Sequence, residues 1–303
     1  VWLNMDITFK RPALEDRDTI LKHLAERKLH GCERTFANVY LWARFYNEGW
    51  AEIEGTAVFR TGQEGAYSYT YPIGAGDRKK VVEMLMEDAK EKGYPFQLHA
   101  VSKGEMEELE SYFPGKFNVE WPRDLEDYVY ETEKLINLSG KKYHGKKNHL
   151  NQFKATYPDW KYETITDENV EECFQMALSW RNHNGCEDDP EKNQEMCVAL
   201  NSLRLFKELH LKGGLLRVNG KVVAYTLGEP VSDDTFVVHI EKAYADIRGA
   251  YTMINQQFLE HEVKDYTYVN REEDTGDEGL RTAKLSYRPV FMVEKGIVTL
   301  KGE

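Results

Sequence analysis

Two stretches of this chain, read for periodicity, give the same succession of elements. Apolar residues three and four apart mark helices, and strict alternation marks strands. In the first half a strand at Ile7–Lys10 precedes a helix faced by Ile20, Leu21 and Leu24, then a second helix near Phe36–Phe45. Three strands follow at Trp50–Ile53, Thr56–Arg60 and Ala66–Tyr71. Asp77 then caps a helix faced by Val81, Val82, Leu85, Met86 and Ala89. Strand Phe96–Ala100, a helix opened by the Ser102/Glu105 capping box, and strand Phe117–Trp121 close the half.

After an intervening segment the order returns. Strand Trp160–Thr164 leads to a helix from Asp167 carrying Val170, Phe174, Ala177 and Leu178, and to a second helix near Asn193–Leu211 that Gly213-Gly214 stops. Leu215–Val218 and Val222–Gly228 flank Asn219-Gly220, the strongest hairpin signal in the chain, because a type I′ turn needs positive φ at both positions. Thr235–Lys242 is the third meander strand. A helix at about Ala250–Val263, strand Tyr266–Asn270, a helix near Gly279–Ser286 and strand Val290–Glu294 complete the second half.

Each half therefore reads strand, two helices, three strands, helix, strand, helix, strand, which is the order of the GNAT N-acyltransferase fold. The 303 residues exceed the usual size of one hydrophobic core. The expected architecture is α/β (α+β), with two tandem GNAT-like domains of mixed, mostly antiparallel sheets flanked by helices. Residues 1–124 form the first domain and 125–303 the second, which carries a basic linker helix at 139–157.

A net charge of −12 opposes a protein whose whole surface tracks nucleic acid or anionic lipid, although it leaves room for a local basic patch. No apolar run approaches the roughly 18 residues that a membrane span needs. Val1–Lys10 lacks the apolar core of a signal peptide, so a cytoplasmic protein is expected. Cys32, Cys173, Cys186 and Cys197 form none of the close pairs of a zinc or redox site, and no metal is expected.

The run from Asn270 through Asp274, Gly276, Gly279, Arg281, Lys284 and Tyr287 to Pro289 resembles the C-terminal signature of a bacterial family related to the cytosolic domain of phosphatidylglycerol lysyltransferases. A second match is Tyr128-Val-Tyr130 followed by Leu135, Leu138, Gly140-Lys-Lys142, Lys146-Lys147-Asn148 and Phe153. The resemblance implies the tandem fold over most of the chain. Relatives in this group, including the Fem-type peptidoglycan aminoacyltransferases, take aminoacyl groups from tRNA.

Arg281, Lys284 and Tyr287 stand three apart and share one helix face at the end of strand Tyr266–Asn270. Such a face suits a tetrahedral oxyanion or a phosphate, with the cations supplying charge and Tyr287 a proton. Asn270, Glu272, Glu273 and Asp274 follow the strand directly, where an amine could be paired and deprotonated. Asp274 is the preferred base, and Glu241 the next, since alternation with Val237 and His239 would place it on the same sheet face. In the loop before the next helix, Arg248, Gly249 and Ala250 preserve part of a pyrophosphate cradle, although Asp246 opposes phosphate there. The first half has Gly74-Ala75-Gly76 at the corresponding place.

From Lys134 to Pro158 there are six lysines and no Asp or Glu. Lys141, Lys142, Lys146 and Lys147 suit a polyanion such as tRNA; equally, the segment reads as an amphipathic helix with its lysines in water. The leading expectation is an acyl- or aminoacyltransferase in which an amine on a small molecule or peptide attacks a thioester or ester carbonyl directly. Acyl-CoA or aminoacyl-tRNA is the donor, no other cofactor is required, and no Ser or Cys nucleophile is needed. Acetyl-CoA-dependent N-acetylation and a non-catalytic tandem binding module are the alternatives, and oligomeric state stays open.

Overall fold

The computed structural model describes residues 6–303, and the chain divides into two compact units. The first runs to Asp127 and takes back Glu273–Gly276 and Val293–Glu303; the second is Tyr128–Glu272 with Asp277–Met292.

In the first unit, helices α1 (Arg17–Leu24) and α2 (Phe36–Tyr46) precede a meander of β1 (Gly49–Ile53), β2 (Thr56–Gln63) and β3 (Ala66–Thr70). Helix α3 (Arg78–Lys92) then crosses to β4 (Gln97–Val101), and α4 (Lys103–Tyr112) leads to β5 (Phe117–Glu120). Local chemistry sets these bounds. Asp77 accepts from the Lys80 N–H at 3.0 Å to start α3, left-handed Gly93 ends it, and both halves of the Ser102/Glu105 capping box are made. The buried face of α3, with Val81, Val82, Leu85 and Ala89, packs on Tyr69, Leu98 and Val101.

The second unit has β6 (Asp127–Glu131), α5 (Thr132–Asn137), α6 (His144–Thr156), β7 (Lys161–Thr164), α7 (Val170–His183) and α8 (Pro190–Arg204). The long meander follows as β8 (Lys212–Val218), β9 (Lys221–Pro230) and β10 (Thr235–Ala243). Then come α9 (Ala250–Phe258), β11 (Tyr268–Asn270), α10 (Glu278–Ser286) and β12 (Phe291–Val293), after which β13 (Gly296–Leu300) returns to the first unit. Asn219 and Gly220 have φ of 52° and 77°, as the hairpin requires. Residues Leu259–Val263 continue α9 as one π-turn, wider than the α-helix expected over that stretch.

The sheets run β1-β2-β3-β4-β13-β5 and β12-β6-β11-β10-β9-β8-β7. Each is a meander joined in parallel to a fourth strand, with one further strand inserted beside it. Both insertions escape the periodicity. Tyr128–Tyr130 reads as a motif but lies within β6, and β13, in the segment expected to belong to the second half, pairs with β4 and β5 of the first sheet. The expected strand Ile7–Lys10 reduces, among the described residues, to a single bridge between Lys10 and Trp50. Gly213 and Gly214 lie inside β8, where a Cβ on either would collide with Ile165 or Tyr162; their role is close packing, while α8 ends earlier at Arg204. The fold is that of two tandem GNAT-like halves.

Candidate active site

The decisive geometry is in the second unit, where β10 and β11 part. Their parallel register covers Thr235/Tyr268, Phe236/Val269 and Val237/Asn270 and goes no further, while β10 continues to Ala243. A β-bulge between Val238 and Ile240 breaks the β9–β10 register at this point. Bulges re-aim side chains beside functional sites, so the simple alternation expected to orient Glu241 does not hold through His239.

Side chains span the opening that the backbone leaves. His239 is clamped between Glu229, at 2.7 Å from Nε2, and Glu272, at 2.8 Å from Nδ1. Burial pulls its pKa down, but the Glu272 charge and the hydrogen bonds that the ring donates to both carboxylates prevail and push it up to about 10. Farther along, Arg271 Nη2 reaches Glu241 Oε2 at 2.9 Å, and Arg271 Nη1 donates to Asn255 Oδ1 on α9. Burial raises the Glu241 carboxyl above the usual carboxylate range, with Arg271, Lys284 and Lys242 pulling against it.

Tyr287 closes this group. Thr252, in the first turn of α9, faces its hydroxyl, and burial pushes the phenol up. The Lys146 ammonium lies 4.3 Å from its ring centre and the Arg271 guanidinium 5.8 Å. Helix α10 has no buried residue, so these positions depend on its C-terminal end being held. Tyr130 Oη donates to the Lys284 carbonyl at 2.7 Å and Tyr143 Oη to that of Tyr287 at 3.3 Å, supplying donors that helix ends lack. The Lys284 ammonium donates to the Arg271 carbonyl at 2.7 Å, tying α10 to the residue after β11.

The sequence of this chain agrees with a family profile over most of its length. The profile described as phosphatidylglycerol lysyltransferase, C-terminal, matches residues 24–298. The chain belongs to that family. A conserved Bacteroides thetaiotaomicron protein of unknown function is 39% identical, with a TM-score of 0.92 over 98% of this chain and 100% of that one. The C-terminal domain of an Agrobacterium fabrum protein described as a lysylphosphatidylglycerol synthetase shares the fold at 15% identity, with a TM-score of 0.67 over 95% and 92% of the two chains. Bacillus licheniformis L-PGS does so at 15% identity, with a TM-score of 0.66 over 97% and 94%. An uncharacterised Mycoplasmoides gallisepticum protein is 26% identical over 175 residues, 57% of this chain and 55% of that protein, so the match spans about half of that relative. Membership of the family supports an acyl- or aminoacyltransferase type of function. Among the described residues no helix is long and apolar enough to cross a membrane.

Of the residues expected to form the family member's site, Glu241, Lys284 and Tyr287 come together. Asn270 is buried and accepts from the Glu272 N–H at 2.7 Å, fixing the turn in which Glu272 takes a φ of 66°. Arg281 is half-exposed on α10. Asp274 and Glu273 belong to the short segment that groups with the first unit. There Asp274 is fully buried, accepts from the Gly276 N–H at 2.9 Å and faces Arg123 at 3.5 Å, a turn-forming carboxylate with a cation already beside it. Glu273 stands 3.6 Å from the Lys295 ammonium, which also meets Asp127 at 2.7 Å and Glu33 at 2.9 Å. Cys32, Glu33 and Asp127 have the spacing of a metal-ligand set, and Lys295 supplies the positive charge among them.

The expected pyrophosphate cradle is also altered. Arg248 is exposed, and two loop amides are used internally, Ile247 N–H on Tyr244 and Ala250 N–H on Ile247. Gly249, with φ of 85°, packs where a Cβ would meet the His149 carbonyl of α6 at 3.0 Å, and Ala250 is buried. The Gly74–Gly76 loop in the first unit is likewise a packing device, since a Cβ on Gly76 would lie 1.8 Å from the Glu54 carbonyl oxygen. On the basic segment Lys141, Lys142 and Lys147 are exposed and Lys146 is half-buried. Arg271, Tyr130, Asn255 and Thr252 were not singled out by sequence. Arg271 and Tyr130 fall inside the two family motifs, which was the one available signal, whereas Asn255 and Thr252 look like ordinary helix residues.

Proposed function

We propose that this chain is an aminoacyltransferase in which an amine attacks an aminoacyl ester directly, at the opening between β10 and β11. Glu241 takes the proton that the amine loses as the C–N bond forms. Arg271 stands beside the carbonyl, where its charge stabilises the tetrahedral oxyanion, and Tyr287 gives a proton to the departing alkoxide. A carboxylate kept above its ordinary pKa by burial, beside a fixed cation, is the arrangement a general base needs near neutral pH. The Glu241–Arg271 pair across the parted strands is the observation that carries the reading.

The donor is an aminoacyl ester of tRNA, and the acceptor an amine on a small molecule or peptide. The exposed Lys141, Lys142 and Lys147 beside α6 favour a polyanionic donor over acyl-CoA, as does the internal use of loop amides at Ile247 and Ala250. The chain would act in the cytoplasm, where such donors are made. Incubating the full chain with charged tRNAs and with acyl-CoAs, and reading candidate amines by mass, tests this. Transfer from a charged tRNA that Glu241→Gln abolishes is expected. Transfer from acyl-CoA alone, or activity indifferent to Glu241, would refute it, and tRNA binding without transfer would favour a non-catalytic module.

A further inference from the structure

In the first unit Ser68 Oγ and His99 Nδ1 meet at 2.8 Å. They lie on β3 and β4, whose parallel register pairs Tyr69 with Leu98 and Thr70 with His99. Tyr69 and Leu98 belong to the core under α3, so alternation puts Ser68 and His99 on the opposite face of the sheet, where both are half-buried. Gln97, on the same face, donates from Nε2 to Ser68 Oγ at 3.2 Å. The strand is irregular here: the β4–β13 register shifts between Gly296 and Val298, which sets His99 and Ala100 against Ile297, and Ala100 takes a left-handed φ of 53°. A bulge of this kind re-aims the side chain it carries.

Burial and the Arg34 charge hold His99 down at about 4, so the ring is uncharged at neutral pH and Nδ1 is open to the serine proton. The competing acceptor for that proton, the Gln97 carbonyl, is farther away at 3.4 Å. The Gln97 amide nitrogen carries a second N–H besides the one given to Oγ, available to an oxygen bound beside the serine. Among the described residues no charged side chain bonds to Ser68, Gln97 or the His99 ring. His99 is therefore a weak base, which restricts the pair to acyl groups on good leaving groups, and the surroundings suit an uncharged acyl group.

We infer that Ser68, His99 and Gln97 form a second reaction centre, which hydrolyses uncharged aryl esters or thioesters through an acyl-serine. Ser68 Oγ bonds the carbonyl carbon while its proton passes to His99 Nδ1, and the tetrahedral oxyanion takes a hydrogen bond from Gln97. Collapse breaks the bond to the leaving oxygen or sulfur, which receives the proton from Nδ1. Water then attacks the acyl-serine, giving a proton to Nδ1; the carboxylic acid departs and the proton returns to Ser68 Oγ. The sum is ester plus water to acid plus alcohol or thiol, with no oxidant or metal in the balance.

Incubating the full chain with an alkyl fluorophosphonate and, separately, with p-nitrophenyl acetate tests it. Peptide mass mapping should find Ser68 phosphonylated, and Ser68→Ala should lose both the label and the ester hydrolysis. His99→Gln should slow both by about 10²-fold, the lower end for a general base, because the imidazole is a weak one. Gln97→Leu leaves nucleophile and base in place; it should slow hydrolysis by about tenfold or more through the lost oxyanion donor, with Ser68 still the labelled residue. Ser111→Ala, on an exposed serine of α4, should change neither rate. Circular dichroism of each variant separates lost chemistry from lost fold. No label on Ser68 at millimolar probe, or labelling as fast in folded His99→Gln as in the native chain, would overturn the proposal and leave the three residues as a hydrogen-bonded sheet face.

Discussion

Arg271 and Glu241 meet at 2.9 Å although thirty residues separate them, one just past the end of β11 and the other four residues beyond the last paired position of β10. The contact exists because the two strands stop pairing at Val237 and Asn270. A zipped pair would have filled that space with backbone.

Glu241→Gln keeps a hydrogen-bond acceptor for Arg271 but removes the base. Transfer should fall by about 10²–10⁴-fold while the circular dichroism spectrum is kept. In the native chain the acid limb of the rate profile should lie above the ordinary glutamate range, because burial raises this carboxyl. An acid limb at the free-glutamate value would show that another group takes the proton.

Tyr287→Phe retains the ring beneath Lys146 and loses the hydroxyl that faces Thr252. Stability should drop by no more than about 1 kcal/mol. Turnover should fall far more than that, so equal losses in turnover and stability would reduce Tyr287 to a structural residue.

Stability should depend on pH differently at the two ends of the scale. His239 has its pKa raised from 6.5 to about 10, so its contribution is complete below about 6.5 and is lost as the pH rises through 10. Glu48 acts in the same direction: burial raises it from 4.5 to about 8, and its contribution fades between those values. Glu108 is the opposite case. Burial raises it, but bonds from Tyr112, Arg78 and Arg27 prevail and hold it at about 2, so its contribution is present above 4.5 and lost as the pH falls through 2. Urea midpoints measured from pH 3 to 10 should decline on the alkaline side, and His239→Asn should flatten that decline. A slope unchanged by His239→Asn would place the charge elsewhere.

Lys295 neutralises buried Asp127 and the neighbouring Glu33 and Glu273. Lys295→Met should destabilise the first unit by about 3–5 kcal/mol, because removing one partner leaves carboxylates buried without a counter-charge. Adding Asp127→Asn should recover part of the loss; a double variant no more stable than the single one would contradict the pairing.

Asp274→Asn should lower the thermal midpoint through the Gly276 turn and the Arg123 contact while leaving the pH profile of transfer in place. A shifted profile would return Asp274 to the role of base.

Local chemistry made much of the fold legible. Asn219-Gly220 fixed a hairpin through its φ angles, Asp77 and Ser102 fixed helix starts, and the spacing of Val81, Val82 and Leu85 fixed a buried face, since each depends only on neighbours within a turn or two. Lys284 and Tyr287 were legible for the same reason, as one face of a short helix. The two inserted strands were not. β6 and β13 are short, and a strand's place in a sheet is set by hydrogen bonds to partners distant in the chain, which no window of sequence contains. Nor could spacing show which acid has Arg271 beside it, because the partners of a side chain at a strand end are distant in the chain. The sequence by itself determined the two meanders with their flanking helices, the family and the chemical types available. Only the tertiary structure decided that Arg271 stands with Glu241, since side-chain direction beyond a bulge and a strand end follows from packing rather than from periodicity.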